Sequence, residues 1–481
     1  MNLELEVVCL RQENKELRAL IARLEARLTQ WEAQLAKANK NSGHSSKPPS
    51  SDITQPPTGG GRSSRPRKIG GQPGHPRHER PAFAPDPVEE RQIHGLKQCP
   101  DCGSRNLEAL SEPAQVVPQV EVLRKPCKVT DPVVQACRCR NCQRIHPGEL
   151  PAAIAATGLI GPRMMGLLLF MQGALRTSYT GIEEFLDPVL GFKGCRGYLA
   201  KVMVRGSAAL EPAVEELRAL LPRQRVLNVD ETGPKAKGEG LWTGCFRAGN
   251  FGLFSIQAAR GSDVRMEFLG PEFNGVLGCD YFSADRKFMG KMSGSGQCCF
   301  AHLIRDLKFL AEHPEPMMPR YAQPILRAIR RMLHLIQAQA KIPRADVQSK
   351  LAWQKKRILA LTSDTTSLSP MEGYVQKQYP EVFNLAQRLR KHGEAYFTFI
   401  TTPQIGPTNN AAEQALRFVG MDRRATQGTR RHKGRAFCER IWTVVGTCRM
   451  KKRALLGYRG EAVTAWANGL RIPALIPANS A

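Results

Sequence analysis

Four short apolar runs between residues 225 and 282 constrain the fold most: RVLNVDE (225–231), GLWTGCFRA (240–248), LFSIQAAR (253–260) and GVLGCDYF (275–282). Each is too short for a buried helix, and Gly and Pro separate them, which predicts a meander of strands followed by another strand. Two of the runs end in an acid, Asp230 and Asp280. A carboxylate at the end of an apolar strand is costly to bury unless an Arg or a metal ion neutralises it.

A third acid stands in PTNNAAEQALRF (407–418). Pro407 with Thr408 or Asn409 supplies entry and cap for a helix carrying Ala411, Ala412, Ala415 and Leu416. Taken alone, Glu413 reads as the partner of Arg417 one turn later on a solvated face. Two Asp residues at neighbouring strand ends change that reading. With a Glu from a later helix they offer hard oxygen ligands suited to Mg²⁺. Two such ions, about 3.5–4 Å apart, can activate an attacking oxygen and stabilise a leaving one in a phosphodiester displacement. Asp230, Asp280 and Glu413 are then the predicted triad. Glu231 and Asp285 are rivals. Alternation turns Glu231 to the strand face opposite Asp230, and Asp285 falls in SADRKF, read as a loop where it pairs with Arg286 or Lys287.

Upstream, Leu3, Leu10, Leu17, Leu24 and Trp31 recur every seven residues, with Val7, Asn14, Ile21, Leu28 and Leu35 in the alternate core position. That pattern predicts a coiled coil, and a single Asn at an a-type position favours a parallel dimer. The Ser-, Pro-, Gly- and Arg-rich stretch that follows has too few apolar residues for a core and reads as a linker. CPDC and CRNC then present Cys99, Cys102, Cys139 and Cys142 as two knuckles that can close one structural Zn²⁺ site, with QVEVL and PVVQAC predicted to form the hairpin that joins them. Cys127, Cys137, His94 and His146 compete for a ligand position.

Residues 151–222 read as short helices, either a helix-turn-helix-like module or plain packing, and 312–395 as a helical insertion. The most apolar stretch, LIGPRMMGLLLFMQGAL, is broken by Pro162 and Arg163 and reads as a buried helix, so no membrane partner is expected. With no export signal at its start, the chain is expected to be cytoplasmic. A net charge of +27 points to a polyanion, nucleic acid first. Between Arg423 and Arg459 stand 12 Lys or Arg and one acid, Glu439, with Trp442 and Tyr458 nearby. Arg423, Arg424, Arg430, Arg431, Lys433, Arg435, Lys451, Lys452 and Arg453 are the predicted DNA contacts.

The motifs NSGHSSKPPSSD, GGQPGH, the two knuckles, VDET, GCDYF, CFAH and TNNAAEQALR occur in the order found in the IS66 family of insertion-sequence transposases, which the chain resembles along nearly its whole length. The resemblance implies an α/β, ribonuclease-H-like mixed sheet with flanking helices and a helical insertion, whose Asp, Asp, Glu triad falls on Asp230, Asp280 and Glu413. It further implies a bacterial, nucleoid-associated enzyme that cuts element ends and joins the 3′-OH to target DNA, using two Mg²⁺ for which Mn²⁺ can substitute, and accessory proteins of the element as further partners. Cys299 and His302 resemble a Cys-x-x-His pair of related transposases and, with Arg305, are taken as accessory and structural. Gly43-His44 and Ile304-Arg305-Asp306 depart from the family's usual residues and leave accessory contacts open. The expected organisation is a dimerising coiled coil over 1–38, a linker over 39–92, a zinc module over 93–150, helices over 151–222, a catalytic domain over 223–459 and a tail over 460–481. The rival is a zinc-containing coiled-coil DNA-binding regulator, or an inactive relative, that binds DNA without cutting it.

Overall fold

The computed structural model describes residues 3–38, 92–94, 96–108, 122, 126–233, 240–338, 344–363, 376, 378–402, 404–426 and 431–477. Helix α1 runs over Leu3–Ala38 as one uninterrupted element. Its heptad residues Leu17, Ile21, Leu24, Leu28, Trp31 and Leu35 remain 51–61% exposed on the single chain.

Both cysteine knuckles adopt the same turn. Cys99 N–H donates to Ser104 O and Gly103 N–H to Cys99 O, while Cys139 N–H donates to Arg144 O and Gln143 N–H to Cys139 O, all at 2.8–2.9 Å. The turn needs a left-handed residue, filled by Gly103 (φ 71°) and Gln143 (φ 58°). Strands β1 (Ala136–Arg138) and β2 (Ile145–Pro147) pair antiparallel around the second knuckle. The β1–β2 hairpin is closed by that turn; the expected pairing of PVVQAC with QVEVL falls mostly on residues outside the described ones.

Five helices follow: α2 (Ala152–Thr157), α3 (Pro162–Gly173), α4 (Tyr179–Leu190), α5 (Arg196–Ala208) and α6 (Glu211–Leu220). Among the described residues, Ala152–Gly173 is the one stretch long and apolar enough to cross a membrane. It is broken between α2 and α3, and Met165, Leu168 and Leu169 on α3 are wholly buried in the protein core.

The main sheet is mixed. Strands β3 (Val226–Thr232), β4 (Trp242–Ala248) and β5 (Gly252–Gln257) form an antiparallel meander. After α7 (Ser262–Leu269), β6 (Val276–Cys279) pairs parallel to β3. Helix α8 (Ser283–Met289) leads to β7 (Ser295–Cys298), which pairs parallel to β6 and completes the order β5-β4-β3-β6-β7. Helix α9 (Phe300–Ala311) opens a second hydrophobic cluster shared with α10 (Met317–Ala338), α11 (Arg344–Ser363), α12 (Pro380–His392) and the short turn α13 (Thr398–Thr401). Helices α14 (Asn410–Thr426), α15 (His432–Met450) and α16 (Leu455–Ala467) return to the main core. There they meet the upstream helices: α16 packs on α3 so closely that a Cβ at Gly166 would lie 3.0 Å from the Gly460 nitrogen.

Helix α15 also closes the exposed edge of the sheet. Along it, Glu439, Thr443 and Thr447 recur every four residues, a rise of about 6 Å, which matches the ~6.8 Å between alternate residues of a strand. Their oxygens accept the outward N–H groups of Ile256 (2.6 Å), Phe254 (3.1 Å) and Gly252 (3.4 Å) on β5. An edge strand satisfied in this way offers no template for another chain. The single acid of the basic block is accordingly a ladder residue.

Beside it, Trp442 Nε1–H donates to the buried carboxylate of Asp422 at 2.8 Å. Burial pushes Asp422 up to about 6, against the pull of Trp442, Arg176 and Arg423. The folded protein therefore holds this proton more tightly than the unfolded chain, and the stability it confers is lost as pH rises through about 6. Asp422→Asn keeps an acceptor for Trp442 and removes the buried charge. Its stability relative to the parent is expected to improve by about 1–2 kcal/mol between about pH 5 and pH 7.5. Paired denaturant titrations at the two pH values measure this, and a pH-independent difference would contradict it.

Candidate active site

The parallel pairing of β3 and β6 ends at Asn228↔Gly278. Two residues further along each strand stand Asp230 and Asp280, so equal spacing from one rung puts both acids at one level on one face. The two carboxyls are near enough for each to affect the other's protonation. Asp230 Oδ1 also accepts the N–H of Glu231 at 2.8 Å. Past Asp280 the chain turns sharply at Tyr281, a non-glycine residue at φ 69°.

Helix α14 delivers Glu413 in its first turn, and Asn409 fixes where that helix begins. Asn409 is 1% exposed. Its Nδ2 donates to Val229 O (2.7 Å) and Asp280 Oδ1 (2.9 Å), while its Oδ1 accepts from Asn228 Nδ2 (3.0 Å). Its backbone N–H donates to Cys299 Sγ at 3.1 Å. One amide thus joins β3, β6 and α14, and the buried Cys299, pushed up to about 12 by desolvation, serves as an acceptor in its thiol form. Nothing in the apolar pattern marks Asn409 as more than a cap.

The fourth side of the site is α9. His302 is buried, with Nε2 at 3.3 Å from Asp280 Oδ2 and 3.1 Å from Arg305 Nη1, and Nδ1 at 3.7 Å from Glu413 Oε1. Arg305 Nη2 lies 3.8 Å from Glu413 Oε2. The side chains of Asp280 and Glu413 retain 22% and 17% exposure, so both acids are reached by solvent in part. Among the described residues, Asp280, Cys299, His302 and Glu413 each offer an atom within 4.8 Å of the others. The knuckle cysteines Cys99, Cys102, Cys139 and Cys142 do not form a group of that kind.

Electrostatics show a site short of positive charge. Burial first, then Asp280 and Glu413, push Asp230 well above the usual carboxylate range. Burial lifts Asp280 to about 6 despite the Asn409 hydrogen bond. Glu413 Oε1 is buried with no hydrogen-bond partner among the described residues. Clustered carboxylates with an orphaned oxygen are a donor set that suits divalent cations.

The rival acids have other work. Glu231 pairs with Arg265 and, at 3.8 Å, with Arg260. Asp285 is not in a loop with Arg286 or Lys287 as partner. It lies in the first turn of α8, where a carboxylate suits the helix dipole, and accepts from the buried Arg265 Nε at 2.8 Å. Arg260 is sandwiched between the rings of Trp242 (4.3 Å) and Phe282 (3.6 Å), and its charge opposes the rise of Asp230.

The basic segment divides. Arg424, Arg431, Lys433 and Lys452 are exposed, and Arg435 and Lys451 are half-buried. Arg423 donates to Gly233 O and Thr232 Oγ1, and Arg453 to Ala474 O. Arg430 lies outside the described residues. Trp442 and Tyr458 are core residues, 2% and 1% exposed, so neither can stack on a base.

Comparison with known sequences gives the class first: the chain matches a DNA transposase model, described as Transposase IS66 family, over residues 157–436. That span exceeds half of the sequence, and the chain belongs to the IS66 transposase family. Residues 3–81 match a family of unknown function, DUF6444. A Sinorhizobium fredii protein described as uncharacterized protein y4hP is 25% identical over 400 residues, covering 76% of this chain and 70% of the relative. Family membership supports a transposase role, that of a DNA-processing enzyme with DNA as partner, in a family typically dependent on metal ions.

Proposed function

We propose that the protein cleaves DNA at the ends of an insertion sequence and joins the freed 3′-OH to target DNA. The observation that carries this reading is the convergence of Asp230, Asp280 and Glu413, from three separate segments, on one end of the sheet. The order of three antiparallel strands followed by two parallel ones supports a ribonuclease-H-like catalytic domain interrupted by the α9–α13 insertion. Asp230, Asp280 and Glu413 would hold two divalent ions, Mg²⁺ with Mn²⁺ able to substitute, which supply charge stabilisation at the attacking and leaving oxygens when bound. Asn409 keeps Asp280 and α14 in register, and the exposed Arg424, Arg431, Lys433 and Lys452 neutralise phosphates. In the first reaction water attacks phosphorus, the P–O3′ bond breaks and the 3′-oxygen leaves with a proton. In the second, that 3′-OH attacks a target phosphodiester and releases a target 3′-OH. The nucleophile is never a protein side chain, so no covalent protein–DNA link forms.

The matching knuckle turns give each Cys pair the local form of a zinc knuckle, and a structural Zn²⁺ held by Cys99, Cys102, Cys139 and Cys142 would draw the two knuckles together on binding. About one Zn per chain is expected by elemental analysis, falling to near zero on Cys99→Ser with Cys139→Ser; metal-free parent protein would contradict it. The burial of α3 supports its reading as a core helix rather than a membrane span, and action on nucleoid DNA in the cytoplasm is part of this proposal. The function itself is tested by incubating the protein with element-end DNA and Mg²⁺ or Mn²⁺. Nicks with 3′-OH ends and joined products are expected, whereas a DNA-binding regulator would retain the DNA uncut.

A further inference from the structure

His302 and Glu413 face each other with two buried polar atoms, Nδ1 and Oε1, that have no hydrogen-bond partner among the described residues and stand 3.7 Å apart. On its other side the ring meets Arg305 Nη1, 3.1 Å from Nε2. Nε2 also lies 3.3 Å from Asp280 Oδ2, but a guanidinium has only donors, so at the shorter contact with Arg305 Nε2 is the acceptor, which leaves the ring proton on Nδ1 and no hydrogen bond from this ring to Asp280. That proton points at Glu413 Oε1, and a rotation of either side chain by a fraction of an ångström at the tip closes the gap to a hydrogen bond. The helix spacing makes the arrangement possible, because His302 and Arg305 are three residues apart on α9 and share one face.

We propose that His302, with its tautomer set by Arg305, is a positioning residue for Glu413: Nδ1–H holds Oε1 and fixes which way the carboxylate turns. The inference rests on the reading of Glu413 as a metal-holding acid. It differs from a ligand role, in which a lone pair of His302 would itself meet the ion. Outer residues of this kind orient a ligand and typically change metal affinity by 10–100-fold when removed.

The test uses the full-length protein and Mn²⁺ alone as probe, with binding followed by electron paramagnetic resonance. An Asn side chain can place its amide nitrogen where Nδ1 stands, whereas Gln places its amide nearer Nε2. His302→Asn is therefore expected to keep Mn²⁺ affinity within a few-fold of the parent, and His302→Gln and His302→Ala to lose about 10–100-fold. Retention by Gln with loss by Asn would overturn the proposal in favour of the Nε2 side and Asp280. Parent-like binding in all three variants would reduce His302 to a packing residue. An electron-spin-echo measurement on the parent needs no variant to fold: a directly bound imidazole nitrogen on Mn²⁺ would make His302 a ligand and reject the positioning role, while its absence supports it. Glu413→Gln separates the two levels. If it alone binds Mn²⁺ like the parent, the metal-holding reading fails and this inference falls with it; if it loses Mn²⁺ while the His302 variants do not, only the inference fails.

Discussion

Replacing Glu413 by Gln is expected to lower metal-dependent nicking of element-end DNA by about 10³-fold or more while DNA binding stays within a few-fold of the parent. The substitution keeps size and helix propensity and leaves α14 anchored by Asn409, whose bonds do not involve Glu413. What it removes is negative charge at a site where three carboxylates converge. Asp230→Asn and Asp280→Asn should give losses of similar size, and the double variants should be hardly worse than the singles, since residues that serve one function as a unit do not contribute additively. Glu231→Gln is the comparator: Glu231 pairs with Arg265, and Arg265 keeps Asp285 as partner. Most activity should remain there. Parallel nicking and gel-shift assays on these proteins decide the matter. Should Glu413→Gln cut like the parent, Glu413 is a solvated helix residue in function and the triad is misassigned.

That Asp230 and Asp280 stand at strand ends was legible in the sequence, because each closes an apolar run; the parallel pairing of β3 with β6 that levels them was not. The meander was equally clear, since Gly and Pro bound each run. Strand β7 was not: SGQC has no apolar pattern, and its burial comes from the insertion that covers it, through Gln297 Nε2 bonded to Tyr396 O nearly 100 residues away. The same holds for Asn409, whose partner Val229 O is 180 residues distant. Asp285 looked like a loop residue because SADRKF is short and polar, yet its partner Arg265 comes from another helix. The basic block misled in one respect. Lys and Arg density reads as surface, but α15 alternates those residues with a buried face containing Ile441, Trp442, Val444 and Val445, and Arg459 is wholly buried, donating to Leu169 O. Charge counts report sign and partner; they do not report which face of a helix is wet.

Deleting residues 1–38 is expected to cut the solution mass measured by light scattering about two-fold beyond the loss of the segment itself, and to abolish bridging of two DNA ends in one complex. A helix of 36 residues is about 54 Å long, and on the single chain its seam of Leu17, Ile21, Leu24, Leu28, Trp31 and Leu35 stays more than half exposed. Each such side chain gains about 1.5–3 kcal/mol when fully buried, so half-exposed residues along five turns provide ample driving force for a second copy to cover them. In proteins most of a helix's stability comes from packing an apolar face, which a second copy would supply here. In a parallel pair, whose register Asn14 would set, both chains would leave the coil at the same end. Such a pair would let one assembly hold two element ends. Binding of a single DNA end should survive the deletion, because the exposed Arg424, Arg431, Lys433 and Lys452 lie far along the chain in the C-terminal helices and the segment joining them. An unchanged mass would show that the seam is covered by something other than a second copy, and persistent two-end bridging at the lower mass would move the assembly contact into the catalytic domain.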